Sequence, residues 1–119
     1  MKAYQVEYPG NGWEFDVGTD LTFGTNLDDA KANFFKRNSV FKVWPQFCDC
    51  RVADVKFYRF KAFDNLETLS AMKIAEKLIT EAHWLYEVND QLIDEDNFDK
   101  QKFERDWIEE YGSEQVCVV

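Results

Sequence analysis

The stretch KAYQVEY at residues 2–8 decides the fold, because its pattern specifies the first strand of a hairpin. Its large apolar residues recur with a period of two, as in a half-buried β-strand: Tyr4, Val6 and Tyr8. The turn signal Pro9-Gly10-Asn11-Gly12 follows directly. A second alternating segment then runs from Trp13 to Phe23, with a bulge near Gly18, and predicts the return strand.

A helix and a third strand are predicted next along the chain. Asn26 is a suitable N-cap, and acidic residues in the first turn and basic residues in the last suit the helix dipole. We therefore predict a helix over residues 27–38, with an apolar face at helical spacing: Leu27, Ala30, Phe34 and Phe35. Residues 39–51 indicate a loop or a short edge strand. Residues 52–63 are rich in β-branched and aromatic side chains and predict the third strand.

The clearest helix in the sequence begins in the second half of the chain. Asp64 and Glu67 resemble a capping box at its start. Apolar residues then follow in neighbouring rows at helical spacing: Met72, Leu78, Ile79, Ala82, Leu85, Tyr86 and Ile93. We expect this helix to end near Val88, because Asn89-Asp90 favours a break.

A final helix completes the predicted elements. Asn97 can cap it, Gly112 is a suitable stop, and its apolar residues share one side: Phe103, Trp107, Ile108 and Tyr111. The resulting order β-β-α-β-α-α predicts an α+β fold, in which about three helices pack on a short antiparallel sheet of about three strands. We expect a single domain over residues 1–119, since no linker divides the chain.

Composition indicates a globular protein of a reducing compartment. A chain of 119 residues can bury roughly two thirds of its unfolded surface, so it needs neither a metal nor disulfides to fold. Its three cysteines, an odd number, argue against a disulfide framework and favour a cytoplasmic location. The sequence contains no long apolar run, so we expect neither a signal peptide nor a membrane span.

The N-terminal half resembles small bacteriophage and prophage proteins that have no established activity. The resemblance covers roughly residues 2–64 and is carried by the predicted hairpin and two segments: Ala30-Lys31-Ala32-Asn33-Phe34-Phe35, and Phe47 with Arg51-Val52-Ala53-Asp54-Val55. It implies a phage or prophage origin and a non-enzymatic role. It supplies no catalytic residues, and the acidic C-terminal half lies outside it.

The net charge of −9 is unevenly distributed along the chain. Residues 1–64 carry nine basic and nine acidic groups, whereas residues 65–119 carry five basic and fourteen acidic groups. Such a field attracts basic partners and repels nucleic acid and anionic lipid. We therefore expect a non-enzymatic accessory protein that engages a basic protein partner through an acidic C-terminal helical face, with these contact residues: Asp90, Asp94, Glu95, Asp96, Asp99, Asp106, Glu109 and Glu110.

Catalytic and metal signatures are weak in this sequence. Any nucleophilic triad would have to use His83, the single histidine, and no glycine-rich phosphate loop is present. Cys48 and Cys50 with Cys117 and His83 could supply zinc ligands, but the second closely spaced pair of a zinc site is missing. Asp94-x-Asp96 begins like a calcium loop, but Phe98 stands where a further oxygen ligand is needed. We expect no enzyme activity and no cofactor.

Two other functions are compatible with the sequence. Aromatics make up 17% of the chain, more than a core of this size easily hides, which favours a homo-oligomer built on residues such as Trp44 and Trp107. The basic, aromatic strand at residues 51–61 could instead stack on nucleic acid, although the net charge opposes phosphate binding. Its basic residues are Arg51, Lys56, Arg59 and Lys61.

Overall fold

The computed structural model describes residues 1–9, 17–46 and 50–112. Within them it confirms the α+β class, with three helices, a three-stranded antiparallel sheet and a two-stranded sheet. The chain divides into two compact units, Met1–Thr68 and Leu69–Val119. The single domain expected from the sequence stays a prediction.

The sheet of the N-terminal unit has the strand order β2-β1-β3, with both pairings antiparallel. Strand β1 is Lys2–Pro9, β2 is Val17–Gly24 and β3 is Lys56–Arg59. The alternation in residues 2–8 thus gives the central strand, and its pairing with β2 confirms the predicted hairpin partners. The bulge predicted near Gly18 is wrong, because the register is unbroken from Lys2 opposite Gly24 to Pro9 opposite Val17. The predicted turn at residues 10–12, and Trp13 and Phe15 of the return strand, lie outside the described residues.

Helix α1 is Leu27–Phe35 and begins where the sequence predicts. The Asn26 side chain accepts a hydrogen bond from the Asp29 backbone N–H at 2.9 Å, which confirms the N-cap. The predicted end at residue 38 is wrong, because Arg37 has a φ of 63° and leaves the helical conformation. The helix approaches β2 closely: a Cβ placed on Gly24 would lie 2.3 Å from the Ala30 backbone nitrogen.

The third strand is shorter than predicted. Only Lys56–Arg59 forms a strand in residues 52–63, and 3-10 turns at Val52–Asp54 and Lys61–Phe63 flank it. The Asp54 carboxylate accepts hydrogen bonds from the Arg51 backbone and guanidinium groups, so a local turn competes with the sheet there. Among residues 39–46 there is no strand, and the Trp44–Pro45 peptide bond is cis.

The C-terminal unit begins with helix α2, Ala71–Ala82. Ser70, whose hydroxyl accepts from the Lys73 backbone N–H at 3.2 Å, is its N-cap. The predicted capping box at Asp64 and Glu67 is therefore wrong. The helix ends at His83, which adopts a left-handed conformation with φ 61°, so the predicted end near residue 88 is also wrong.

A β-hairpin replaces the predicted last turns of that helix. Strands β4, Tyr86–Val88, and β5, Gln91–Ile93, pair antiparallel across a two-residue turn. The turn residues Asn89 and Asp90 have φ values of 53° and 62°, as a type I′ hairpin turn requires at both central positions. The dipeptide that the sequence suggested as a helix break is thus a hairpin turn.

Helix α3, Lys100–Tyr111, completes the C-terminal unit. Its N-cap is Asp99, which accepts from the Lys102 backbone N–H at 3.1 Å, so the predicted cap at Asn97 is wrong. The left-handed Gly112, with φ 78°, confirms the predicted stop. The core of this unit combines one face of α2 with the hairpin and α3: Met72, Ile74, Leu78, Ile79, Val88, Phe103 and Trp107.

Candidate functional site

The eight acidic residues expected to contact a partner all belong to the C-terminal unit. Only three of them lie on a helix, whereas the other five lie in the hairpin turn and in the loop between β5 and α3. The acidic feature is therefore formed mainly by the hairpin turn and this loop. The helical members are Asp106, Glu109 and Glu110 on α3; the others are Asp90, Asp94, Glu95, Asp96 and Asp99.

Several of these carboxylates bind the protein's own backbone. One oxygen of Asp94 accepts from the Asp96 and Asn97 backbone N–H groups, both at 2.9 Å. Asp99 caps α3, and Glu110 accepts from the Asn89 N–H of the hairpin turn at 2.7 Å. These carboxylates hold the loop and the hairpin in place, which accounts for part of the acidic composition without any partner.

Asp106 is largely buried. Its side chain is 9% exposed, and one of its oxygens lies 2.9 Å from the Lys102 Nζ. This hydrogen bond, more than any other contact, lowers the pKa of Asp106. Asp106 therefore cannot serve as a contact residue in the described conformation.

The other carboxylates remain accessible to solvent. The Glu95 carboxylate and the His83 Nδ1 are joined by a hydrogen bond of 2.7 Å, and both side chains are exposed. Asp90, Asp96 and Glu109 are exposed and make no ion pair within the described part of the chain. The accessible negative charge is therefore concentrated at the hairpin turn and the adjacent loop, with Glu109 on α3.

The hairpin also exposes two leucines, which the sequence prediction missed. Leu92 on β5 is 59% exposed, and Leu85, one residue before β4, is 62% exposed. Glu87 lies directly across the ladder from Leu92 and is exposed as well. A predicted helix placed Leu85 in an apolar row. The signal that could have revealed this face is a positive-φ dipeptide between two short alternating segments.

A groove of about 370 Å³ lies beside the hairpin. Its lining comes from β5, the following loop and α3, and the lining residue Lys102 contacts both Gln91 and Asp106. The lining residues are Gln91, Leu92, Ile93, Asn97, Asp99, Lys102, Phe103 and Asp106. Two of the predicted contact residues and one exposed leucine thus meet at this groove.

A pair of carboxyl groups that the sequence did not single out lies at a second cleft in the C-terminal unit, and Glu76 lines this cleft. Glu76 on α2 and Glu104 on α3 both approach the Lys73 Nζ, at 3.8 Å and 2.7 Å. Burial, followed by hydrogen bonding to Glu104 and the charge of Glu104, raises the pKa of Glu76 to about 7. No spacing rule links residues 28 positions apart, so only the folded unit reveals the pair.

The proposed metal ligands are only partly described. Cys48 and Cys117 lie outside the described residues, and His83 occupies the end of α2 instead of its middle. In the calcium-like segment Asp94-x-Asp96, one carboxylate oxygen of Asp94 already accepts hydrogen bonds from the backbone N–H groups of its own turn. Across residues 1–9, 17–46 and 50–112, no group of three or more histidine, cysteine or acidic side chains is arranged to hold a metal.

The basic strand proposed for nucleic acid is partly neutralised. The Arg59 guanidinium makes two hydrogen bonds with the Asp64 carboxylate, at 2.5 and 2.6 Å, and lies over the Tyr4 ring. Arg51 pairs with Asp54 at 3.2 Å. Two of the four predicted basic groups therefore serve the fold of the N-terminal unit.

Comparison with known proteins identifies no relative. No protein-family model matches the chain, and no curated protein or solved structure matches it either. None of the helices in the described part of the chain has the length and apolar character that a membrane crossing demands. A function must therefore be inferred from the chain's own residues.

Proposed function

We propose that this chain is a non-enzymatic interaction protein whose C-terminal unit binds a basic protein partner. The contact region is the acidic hairpin surface, defined by Leu85, Glu87, Asp90 and Leu92 with the loop residues Glu95 and Asp96. The observation that carries the proposal is the pair of leucines, 62% and 59% exposed, on a hairpin edged by carboxylates.

The chemistry of this surface indicates the chemistry of its partner. Exposed leucines gain free energy when an apolar surface covers them, at about 25 cal/mol per Å² removed from water. The surrounding carboxylates would lose solvation without positive groups opposite them, so the partner must carry lysine or arginine around an apolar centre. An amphipathic basic segment has this composition, and the excess negative charge of the C-terminal half would accelerate its association.

The biological setting is part of the same proposal. The resemblance of residues 2–64 to small bacteriophage and prophage proteins supports an accessory role during infection or lysogeny, in the cytoplasm of a host. A host protein with a basic functional surface is a suitable target for an acidic phage protein, because charge complementarity allows rapid capture.

Two defined peptides test the proposal directly. An amphipathic lysine–leucine peptide should bind the protein, and a lysine-only peptide of equal charge should bind much more weakly, because it cannot cover the leucines. Binding should weaken between about 50 mM and about 500 mM salt, since exposed charges are screened. Fluorescence anisotropy of labelled peptides measures both effects.

Matched variants locate the binding surface. The double variant Leu85→Ser and Leu92→Ser should abolish the preference for the lysine–leucine peptide. Ile108→Ser on α3, where the isoleucine is 47% exposed, is the control and should leave it unchanged. Equal binding of both peptides, or an effect of the control as large as that of the double variant, would refute a hairpin docking surface.

The homo-oligomer is less well supported by the described geometry. Trp107 is fully buried, and the Trp44 ring packs against Phe35 with centroids 4.9 Å apart and against Phe34 at 6.0 Å. These two tryptophans therefore contribute to the cores of their units, so we retain the basic partner as the proposed ligand.

A further inference from the structure

The second cleft of the C-terminal unit has the dimensions and the charges of a small-molecule site. Its volume is about 450 Å³, within the usual range for ligand pockets. Leu69 and Phe98 supply apolar walls, and three lysines stand around them. The lining residues are Leu69, Lys73, Glu76, Lys77, Thr80, Phe98 and Lys100.

The three lysines differ in their existing partners. Lys73 pairs with Glu104 at 2.7 Å and lies 3.8 Å from Glu76, and Lys77 pairs with Glu81 at 3.0 Å on the exposed side of α2. Lys100, at the start of α3, makes no ion pair with any residue that the structure describes. The cleft thus contains at least one ammonium group that an incoming anion could pair with.

Glu76 is the most unusual group in the cleft. Its side chain is 12% exposed, and its Oε1 is buried without a hydrogen-bond partner in the described residues. A buried carboxyl oxygen without a donor is costly when it is ionised, so its setting favours the protonated form of Glu76. The charged groups that face Glu76 are Lys73 on its own helix and Lys100 and Glu104 on α3.

The Glu76–Glu104 pair makes the charge of the cleft depend on pH. Two carboxyl groups can hydrogen-bond to each other only when they share a proton. Because the pKa of Glu76 is raised to about 7, this proton is lost as the pH rises through neutrality. Three lysines and one carboxyl group, that of Glu76, line the cleft, and the bound proton removes the negative charge of this carboxyl. When the proton leaves, the second carboxylate repels an incoming anion.

We propose that this cleft binds a small organic anion with an apolar body, and that binding is coupled to proton uptake by the Glu76–Glu104 pair. The anionic group pairs with the ammonium of Lys100, and the apolar body lies between Leu69 and Phe98. A divalent cation is disfavoured, because three lysines line the cleft beside a single carboxyl group. This proposal does not depend on the acidic hairpin surface, which uses other residues of the unit.

Benzoate is a suitable probe because it combines a phenyl ring with one carboxylate and stays ionised at both pH values used. Its neutral isostere benzamide is the control. Titration of the isotope-labelled full chain, followed by NMR, should show benzoate shifts at Leu69, Phe98 and Lys100. The affinity for benzoate should be up to about tenfold higher at pH 6 than at pH 8, because only the protonated pair accepts the anion.

Variants separate the ligand site from its proton coupling. Glu76→Gln should remove most of the pH dependence of benzoate binding, since it keeps the shape of the side chain but cannot titrate. Lys100→Gln should weaken binding at both pH values. If Glu76→Gln fails to fold, Glu104→Gln supplies the same test from the other member of the pair.

Three outcomes would overturn the inference. Benzoate could bind no more tightly than benzamide, or the NMR shifts that it causes could map away from the cleft. Alternatively, Glu76→Gln and Glu104→Gln could both retain the full pH dependence. Because none of these measurements involves a basic peptide, a failure here is distinguishable from a failure of the proposed interaction role.

Discussion

Each unit of the molecule contains a carboxyl group whose pKa is raised by burial, but the two environments differ. Asp20 on β2 is fully enclosed, and burial raises its pKa to about 6. It accepts hydrogen bonds from the Ser39 hydroxyl at 2.5 Å and from the Leu21 and Phe41 backbone N–H groups at 2.7 and 3.0 Å. All three donors belong to the N-terminal unit, so the fold itself satisfies the Asp20 carboxyl.

Burial is also the main cause of the raised pKa of Glu76 in the C-terminal unit, but the surroundings of this carboxyl differ. It faces a cleft, the neighbouring Glu104 contributes to its raised pKa, and one of its oxygens has no partner among the described residues. Burial alone therefore does not distinguish a structural carboxyl from a candidate ligand site. The distinction lies in whether the fold satisfies the group, and whether space remains beside it.

The largest expected effect is at Asp20. Asp20→Ala leaves two backbone N–H groups and the Ser39 hydroxyl without their acceptor in a buried region, and should reduce the free energy of unfolding of the N-terminal unit by about 3–5 kcal/mol. Hydrogen exchange at the Leu21 and Phe41 amides measures the loss. Full protection in this variant would show that the carboxylate does not hold residues 39–43 onto β2.

The pH dependence of the N-terminal unit should follow the titration of Asp20. Its pKa rises from 3.8 to about 6 on folding, so its contribution is fully present below pH 3.8 and is lost as the pH rises through 6. The shift corresponds to about 3 kcal/mol of unfolding free energy between these limits. Urea unfolding at pH 5 and pH 7.5 should capture about 1.4 kcal/mol of this difference, because pH 5 already lies above the unfolded pKa of 3.8, and Asp20→Asn should remove most of it. An unchanged pH dependence in that variant would contradict the assignment.

Glu76 should give a smaller effect of the same sign in the C-terminal unit. Because its pKa is raised to about 7, its contribution to stability is present at acidic pH and is lost as the pH rises through 7. The pair is partly hydrated, so we expect only about 1 kcal/mol. Hydrogen exchange of α2 and α3 amides at pH 6 and pH 8 checks this, with Glu76→Gln as the non-titrating control. Equal exchange protection at both pH values in the native chain would refute a shared proton.

The smallest effect on stability is expected at the acidic hairpin surface. Leu85→Ser and Leu92→Ser remove side chains that are already mostly in water, so each should change the free energy of unfolding by less than about 0.5 kcal/mol. Thermal unfolding measures this change. A loss of several kcal/mol at either position would mean that the leucine belongs to the core and is not available to a partner.

The sequence predicts those parts of the fold that depend on local chemistry. Alternation in residues 2–8, the Asn26 cap and the Gly112 stop each follow from a few neighbouring side chains, and all three are confirmed. The hairpin of β4 and β5 was missed because Tyr86 and Ile93 also fit the helical period of the preceding residues. Only the left-handed conformations of His83, Asn89 and Asp90 decide between the two possibilities.

The candidate sites depend on tertiary contacts, which sequence spacing cannot supply. Charge counting finds the acidic residues but cannot show that Asp106 is buried against Lys102, or that Asp94 and Glu110 bind backbone N–H groups. The Glu76–Glu104 pair and the Asp20 network likewise join distant segments. Composition therefore predicts the sign of the surface, and the fold determines which charges remain available.

A carboxyl-carbon NMR titration of the full chain, with and without benzoate, tests the contrast between the two buried carboxyl groups most directly. We predict that Glu76 titrates near pH 7 and that benzoate moves its midpoint upward, whereas the midpoint of Asp20, near pH 6, stays unchanged. A Glu76 midpoint near the ordinary glutamate value of 4.5, or equal responses of both groups to benzoate, would contradict the account.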